Sequence, residues 1–356
     1  MALDRGKMRA IIITKPEPIQ RDSSGAAADG SHDMTDDIYA AIDLGTNNCR
    51  LLVAKINGPT FRVIDSYSRI VRLGEGLGQS QANKCVLSEN AMNRTIEALA
   101  VCAEKMRKNG VTRSRSVATE ACRRAANRQP FYDRVEQETT IRLETLSPAE
   151  EAQLTLDGCR QLLDAGTRRA LVFDIGGGST ELIWVDCSSA DTAQVIGMKS
   201  IPVGVVTLSE KYGDDAISRT DYDAIIADLD DALTDFDDQF GISEAMLEDD
   251  FQMLGTSGTV TTLGGIYLSL PRYDRSKVDG LNMRIETIQA ISDRLRKMTF
   301  QERANNACIG RDRADLVIMG CAIMEAIYQR WPVLTVRAAD RGIREGLLID
   351  LIGGVG

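Results

Sequence analysis

The chain has a single histidine, His32, among 356 residues. That scarcity leaves almost no room for a Ser-His-Asp triad, a histidine-rich metal centre or a histidine general base. The eight cysteines include no CxxC pair. Zinc knuckles and CxxC redox centres are therefore excluded, and the thiols read as free groups in a reducing cytosol. No apolar run approaches the ~18 residues that cross a bilayer. Ala10–Ile13 is too short for a signal-peptide core. The expectation is a cytoplasmic protein with no membrane partner. Positive charge is also in deficit, with a net charge of −10, which argues against nucleic acid as a partner. Any catalysis falls to carboxylates, lysines, hydroxyls or backbone amides.

What is present is an ordinary globular mixture, 43% hydrophobic and 26% charged. The length suits two domains of roughly 100–200 residues each. Residues 1–37 are polar, small and Gly/Ser/Asp-rich, and read as a disordered extension. Charge is distributed unevenly beyond them. Lys105, Arg107, Lys108, Arg113, Arg115, Arg123, Arg124 and Arg128 stand against Glu120 alone within 105–128, which reads as an anion site. Residues 221–238 hold eight aspartates and no base, which reads as a solvated helix face.

Strand and helix signals alternate from Ile38 onward, so the class is α/β. Ile38–Asp43 and Arg50–Ile56 form a predicted hairpin with Gly45 in its turn, and Phe61–Arg69 is strand-like. Ser88 precedes a predicted helix over 89–109. Ser147-Pro148-Ala149-Glu150 reads as N-cap, N1 proline and capping-box glutamate. Glu150 is thereby occupied with its own helix, and Glu151 is free to face elsewhere.

An internal repeat organises the rest. Asp43-Leu44-Gly45-Thr46-Asn47-Asn48 aligns with Asp174-Ile175-Gly176-Gly177-Gly178-Ser179 at an offset of 131 residues. Each copy is strand, aspartate, apolar residue, glycine turn, polar residue, strand. Glycines allow backbone N–H groups to approach an anion, and Thr46, Asn47, Asn48, Ser179 and Thr180 add donors. Asp43 and Asp174 would repel a bare phosphate, but they fit if Mg²⁺ sits between carboxylate and phosphate oxygens. Gly255-Thr256-Ser257-Gly258-Thr259 follows a short strand and opens a helix, a third candidate anion loop. Two domains facing across a cleft would bring the tips together.

These three loops resemble the signature loops of the exopolyphosphatase/guanosine pentaphosphate phosphohydrolase (Ppx/GppA) family, over roughly residues 38–352. Ala118-Thr119-Glu120-Ala121-Cys122-Arg123 and Arg344-Glu345-Gly346 are similar to further family segments. The resemblance implies two ribonuclease-H-like domains of the actin-like ATPase superfamily with an interdomain cleft. The first domain would span 38–149 plus 341–356 and the second 150–340. It implies the short, two-domain form of the family and a homodimer. It implies Mg²⁺-dependent hydrolysis of the terminal phosphoanhydride of inorganic polyphosphate, or alternatively of the 5′-γ-phosphate of guanosine pentaphosphate. By position, the family's catalytic glutamate falls on Glu151, its companion on Glu181, and a phosphate-path arginine on Arg123. Two departures stand out: Gln153 where the family has arginine, and Arg341 where it often has glycine.

Overall fold

The computed structural model describes residues 37–77, 85–188, 193–213, 217–248 and 250–354. Except for Asp37, the expected N-terminal extension and His32 lie outside these residues.

Eleven strands are described: β1 (Ile38–Leu44), β2 (Asn48–Asn57), β3 (Thr60–Ile70), β4 (Arg113–Ala118), β5 (Glu144–Thr145), β6 (Arg169–Ile175), β7 (Thr180–Asp186), β8 (Gln194–Ile201), β9 (Phe251–Thr256), β10 (Asn282–Arg284) and β11 (Thr335–Ala339). They form two sheets, ordered β3-β2-β1-β4-β5 and β8-β7-β6-β9-β11-β10. In each sheet the first three strands in chain order are antiparallel neighbours, and the next joins the first in parallel. That is the ribonuclease-H-like order, present twice. Two such α/β halves around a cleft give the actin-like two-domain fold.

The repeat extends to single hydrogen bonds. Gly45 N donates to Asn48 O, and Gly176 N donates to Ser179 O, each at 2.9 Å. Leu44 pairs with Cys49 as Ile175 pairs with Thr180. Both hairpins therefore turn in the same way and aim their aspartates alike.

Several local signals hold. Ser88 Oγ accepts from Ala91 N and caps the helix Glu89–Lys108. Ser147 Oγ accepts from Glu150 N, and Glu150 Oε2 accepts from Ser147 N, closing the capping box of the helix Pro148–Cys159. The helix Arg219–Phe240 carries the aspartate run and buries Tyr222, Ile225, Leu229, Leu233 and Phe236. Most of its aspartates stay in water, as a solvated face should; Asp237 is buried and ties Ser243 to Arg330. Strand β5 is only two residues long, Glu144–Thr145, and β8 was not anticipated.

Two helices join the halves. On Pro148–Cys159, Ala152, Leu156 and Cys159 pack on the second sheet, while Leu154 packs with Leu52 and Ala54 of the first. The helix Ile343–Gly353 lays Ile343, Leu347 and Leu348 on the first sheet. The two helices meet through backbone. A Cβ on Gly158 would lie 2.0 Å from Gly342 O, and one on Gly346 would lie 2.0 Å from Leu154 O. Burial of these faces, at ~25 cal/mol per Å² of apolar area, is what holds the halves together.

Candidate active site

The two hairpin tips meet. A Cβ on Gly177 would stand 3.1 Å from the Cβ atoms of Thr46 and Asn47, and one on Gly178 would stand 2.8 Å from Thr46 Oγ1. Glycine allows that approach without either tip giving way. Behind the first tip, the backbone of 71–74 braces Asn47 and Thr46, whose carbonyls accept from Val71 N, Arg72 N and Gly74 N. Behind the second tip, Gly176 O and Gly177 O accept from Val205 N and Val206 N. The same segment ties across to the other half: Arg72 Nη2 donates to Asp315 Oδ2 at 2.9 Å, and Gly76 N donates to Glu210 Oε1 at 2.8 Å.

Beside the tips lies a cleft open to solvent. Asp43, Gly45, Thr46, Asn47, Asn48, Glu151, Asp174, Gly176, Gly177, Gly178, Ser179, Glu181, Ser257, Gly258 and Thr259 all line it. Four candidates from the sequence do not. Thr180 Oγ1 donates to Val203 O, and Thr256 Oγ1 donates to Arg341 O. Gly255 is packed under the Phe173 ring. Arg123 stands behind Glu151, held on both sides by carboxylates.

Glu151 is 6% exposed. Its Oε2 accepts from Arg123 Nη1 at 2.9 Å, and its Oε1 takes no hydrogen bond among the described residues. Burial, with the Glu181 charge beside it, raises its proton affinity well above the usual carboxylate range. Glu181 is 3% exposed, and its Oε1 accepts from Ser179 Oγ at 2.6 Å and Ser200 Oγ at 2.9 Å. Burial, with Asp174 adding to it, pushes Glu181 up to about 7. Burial pushes Asp174 up to about 6 against the pull of Arg50, and raises Asp43 as well.

Asp43 and Asp174 accept no hydrogen bond and form no ion pair among the described residues. The Oδ1 atoms of Asn47 and Asn48 are likewise buried without a partner. No group of three or more His, Cys, Asp or Glu side chains is arranged as a metal cage among the described residues. This donor set fits Mg²⁺, which typically takes one or two carboxylates and fills its octahedron with waters and phosphate oxygens.

The charge around the cleft differs from the sequence expectation. Most cations of the basic stretch 105–128 are engaged by carboxylates rather than turned toward the cleft. Lys105 pairs with Asp65, Arg107 and Lys108 with Glu104, Arg115 with Glu144 and Asp350, and Arg123 with Glu120 and Glu151. The cations at the cleft are Arg50 and Arg313, which line it, and Arg344, close enough to Asp43 to lower its proton affinity. Among the described residues none of the three forms a carboxylate ion pair, and burial pulls Arg313 and Arg344 below the ordinary arginine value. The repeat itself could have found Arg50: at the offset of 131 it occupies the place of Glu181, and in the strand register it stands opposite Asp43 as Glu181 stands opposite Asp174. The departures from the family pattern are structural here. Gln153 Nε2 donates to Asp157, and Arg341 pairs with Asp279 at 2.5 Å.

Known proteins carry the same design. The sequence model of the Ppx/GppA phosphatase family matches residues 52–353. An exopolyphosphatase from Cytophaga hutchinsonii superposes with a TM-score of 0.79 at 22% identity, covering 90% of this chain and 99% of that one. An Aquifex aeolicus member of the Ppx/GppA family gives 0.73 at 25% identity, covering 90% and 99%. An exopolyphosphatase-like protein gives 0.78 at 28%, covering 89% and 98%. The chain belongs to the Ppx/GppA phosphatase family.

Proposed function

We propose that this phosphatase is an exopolyphosphatase, releasing orthophosphate from the end of inorganic polyphosphate. The observation that carries the reading is Glu151: a buried carboxylate of high proton affinity, one oxygen pinned by Arg123 and the other unbonded, beside a cleft walled by glycine tips. That oxygen takes the proton of a water as the water attacks the terminal phosphorus in line. The bridging P–O bond breaks, and the shortened chain leaves with its electron pair. The leaving group is itself a stable anion, so little general-acid help is required. Backbone N–H groups of the tips and the helix opening at Gly258 stabilise the charge on the equatorial oxygens. Arg50 and Arg313 draw in the rest of the chain. Asp43 and Asp174 would hold Mg²⁺, which when bound neutralises phosphate oxygens.

The competing substrate is guanosine pentaphosphate. No aromatic side chain lines the cleft among the described residues, so nothing there offers a stacking platform for a base. That favours the unadorned chain. The deciding assay follows phosphate release from long-chain polyphosphate and from guanosine pentaphosphate, side by side, with Mg²⁺ and with chelator. Faster turnover of guanosine pentaphosphate would overturn the assignment. Glu151→Gln should lower kcat by at least ~10²-fold while leaving chain binding intact; activity retained within about tenfold would remove Glu151 from its role.

A further inference from the structure

Glu120 follows the end of β4 and stands beside the hairpin tips, where a Cβ on Gly178 would lie 3.4 Å from its Cγ. Its Oε2 accepts from Arg123 Nε at 3.0 Å and Nη2 at 2.7 Å. The remaining nitrogen of the same guanidinium, Nη1, donates to Leu146 O and to Glu151 Oε2, each at 2.9 Å. All three nitrogens are thus committed, and the three side chains are 13%, 18% and 8% exposed. Four of the five guanidinium N–H groups of Arg123 are therefore in use, and it cannot turn those edges to a phosphate without abandoning a carboxylate.

The geometry points to Glu120 as a positioning residue that acts through Arg123: the row Glu120–Arg123–Glu151 fixes which Glu151 oxygen is tied back and which faces the attacking water. This rests on the hydrolase reading above, and it replaces a phosphate-contact role for Arg123 with a second carboxylate's grip on the base. Planarity matters here. A guanidinium holds two carboxylates on two edges at once, which a lysine ammonium on its flexible stem cannot reproduce. A carboxylate released from this row would rotate about its own bonds and present either oxygen, and small misplacements of a reacting group cost up to ~10²-fold in rate.

The test is steady-state phosphate release by wild type, E120A, E120Q, R123K and E120A/R123K. E120A should lower kcat about ten- to a hundredfold with KM within about twofold, the signature of a group that acts only on the transition state. E120Q keeps an acceptor oxygen for Arg123 and should restore kcat to within about fivefold of wild type. The double variant should be no slower than R123K alone, because both changes break one row. The inference is overturned if E120A keeps kcat within twofold, if its loss is all in KM, or if the two losses multiply. No phosphate release by wild type from any polyphosphate or guanosine pentaphosphate overturns the hydrolase reading, and this inference with it. Release that E120A leaves untouched overturns the inference alone.

Discussion

Replacing Glu181 by glutamine should make the protein more stable at alkaline pH. The argument is one of linkage. The folded state holds the Glu181 proton until about pH 7, against an ordinary glutamate value of 4.5. Below pH 4.5 folded and unfolded chains are both protonated there, and the group's contribution is fully present. Between 4.5 and 7 the unfolded chain releases its proton while the folded one keeps it, so stability falls as pH rises, by ~1.4 kcal/mol per pH unit. Above pH 7 the loss is complete at ~3 kcal/mol. Glutamine carries no such proton, and its Oε1 can accept from Ser179 and Ser200 as the carboxylate does. Relief of Glu151, whose proton affinity Glu181 raises, has the same sign. Urea unfolding at pH 4, 6 and 8.5 with chelator present should show E181Q equal to wild type at pH 4 and ahead by ~3 kcal/mol at pH 8.5. Equal stability at all three values, or a less stable E181Q at pH 8.5, would refute the reasoning.

Three further outcomes are expected. Gly158→Ala places a methyl group 2.0 Å from a backbone carbonyl that cannot turn aside, and should lower stability by roughly 3 kcal/mol or more, read by the same urea titration. Arg50→Ala removes a cleft cation that forms no ion pair with a carboxylate among the described residues, and should raise KM for polyphosphate about tenfold or more with a smaller change in kcat. Arg72→Ala breaks a tie between the halves that leaves Asp315, 7% exposed, without its cation; KM should rise, small-angle scattering should report a wider molecule, and Asp315→Asn in the same chain should recover part of the loss.

Local chemistry carried most of what the sequence made legible. The Ser147 capping box, the Ser88 cap and the paired hairpins depend on residues a few positions apart, and the structure repeats them bond for bond. The site was legible because the repeat and the Pro-Ala-Glu-Glu start each point to a cleft. What failed depended on partners remote in sequence. The basic stretch looked like a field of free cations because Asp65, Glu144, Glu151 and Asp350, which neutralise much of it, lie 28–235 residues away. Arg50, in a strand of leucines and valine, reads as an outward residue until the register sets it opposite Asp43. Strand β8 carries Lys199, which is 7% exposed, and Gly197, which lies under the Phe240 ring; both blunt its alternation.

The two hairpins share a fold, a turn and an aspartate, and differ in charge at one corresponding position, where one wall presents a guanidinium and the other a carboxylic acid. A chain of identical phosphates has no inherent head or tail, and an evenly matched pair of walls would admit it in either sense. Arg50 against Glu181 removes that symmetry, so on the polyphosphate reading proposed above the cleft has a direction of entry, with the anion drawn along the Arg50 side.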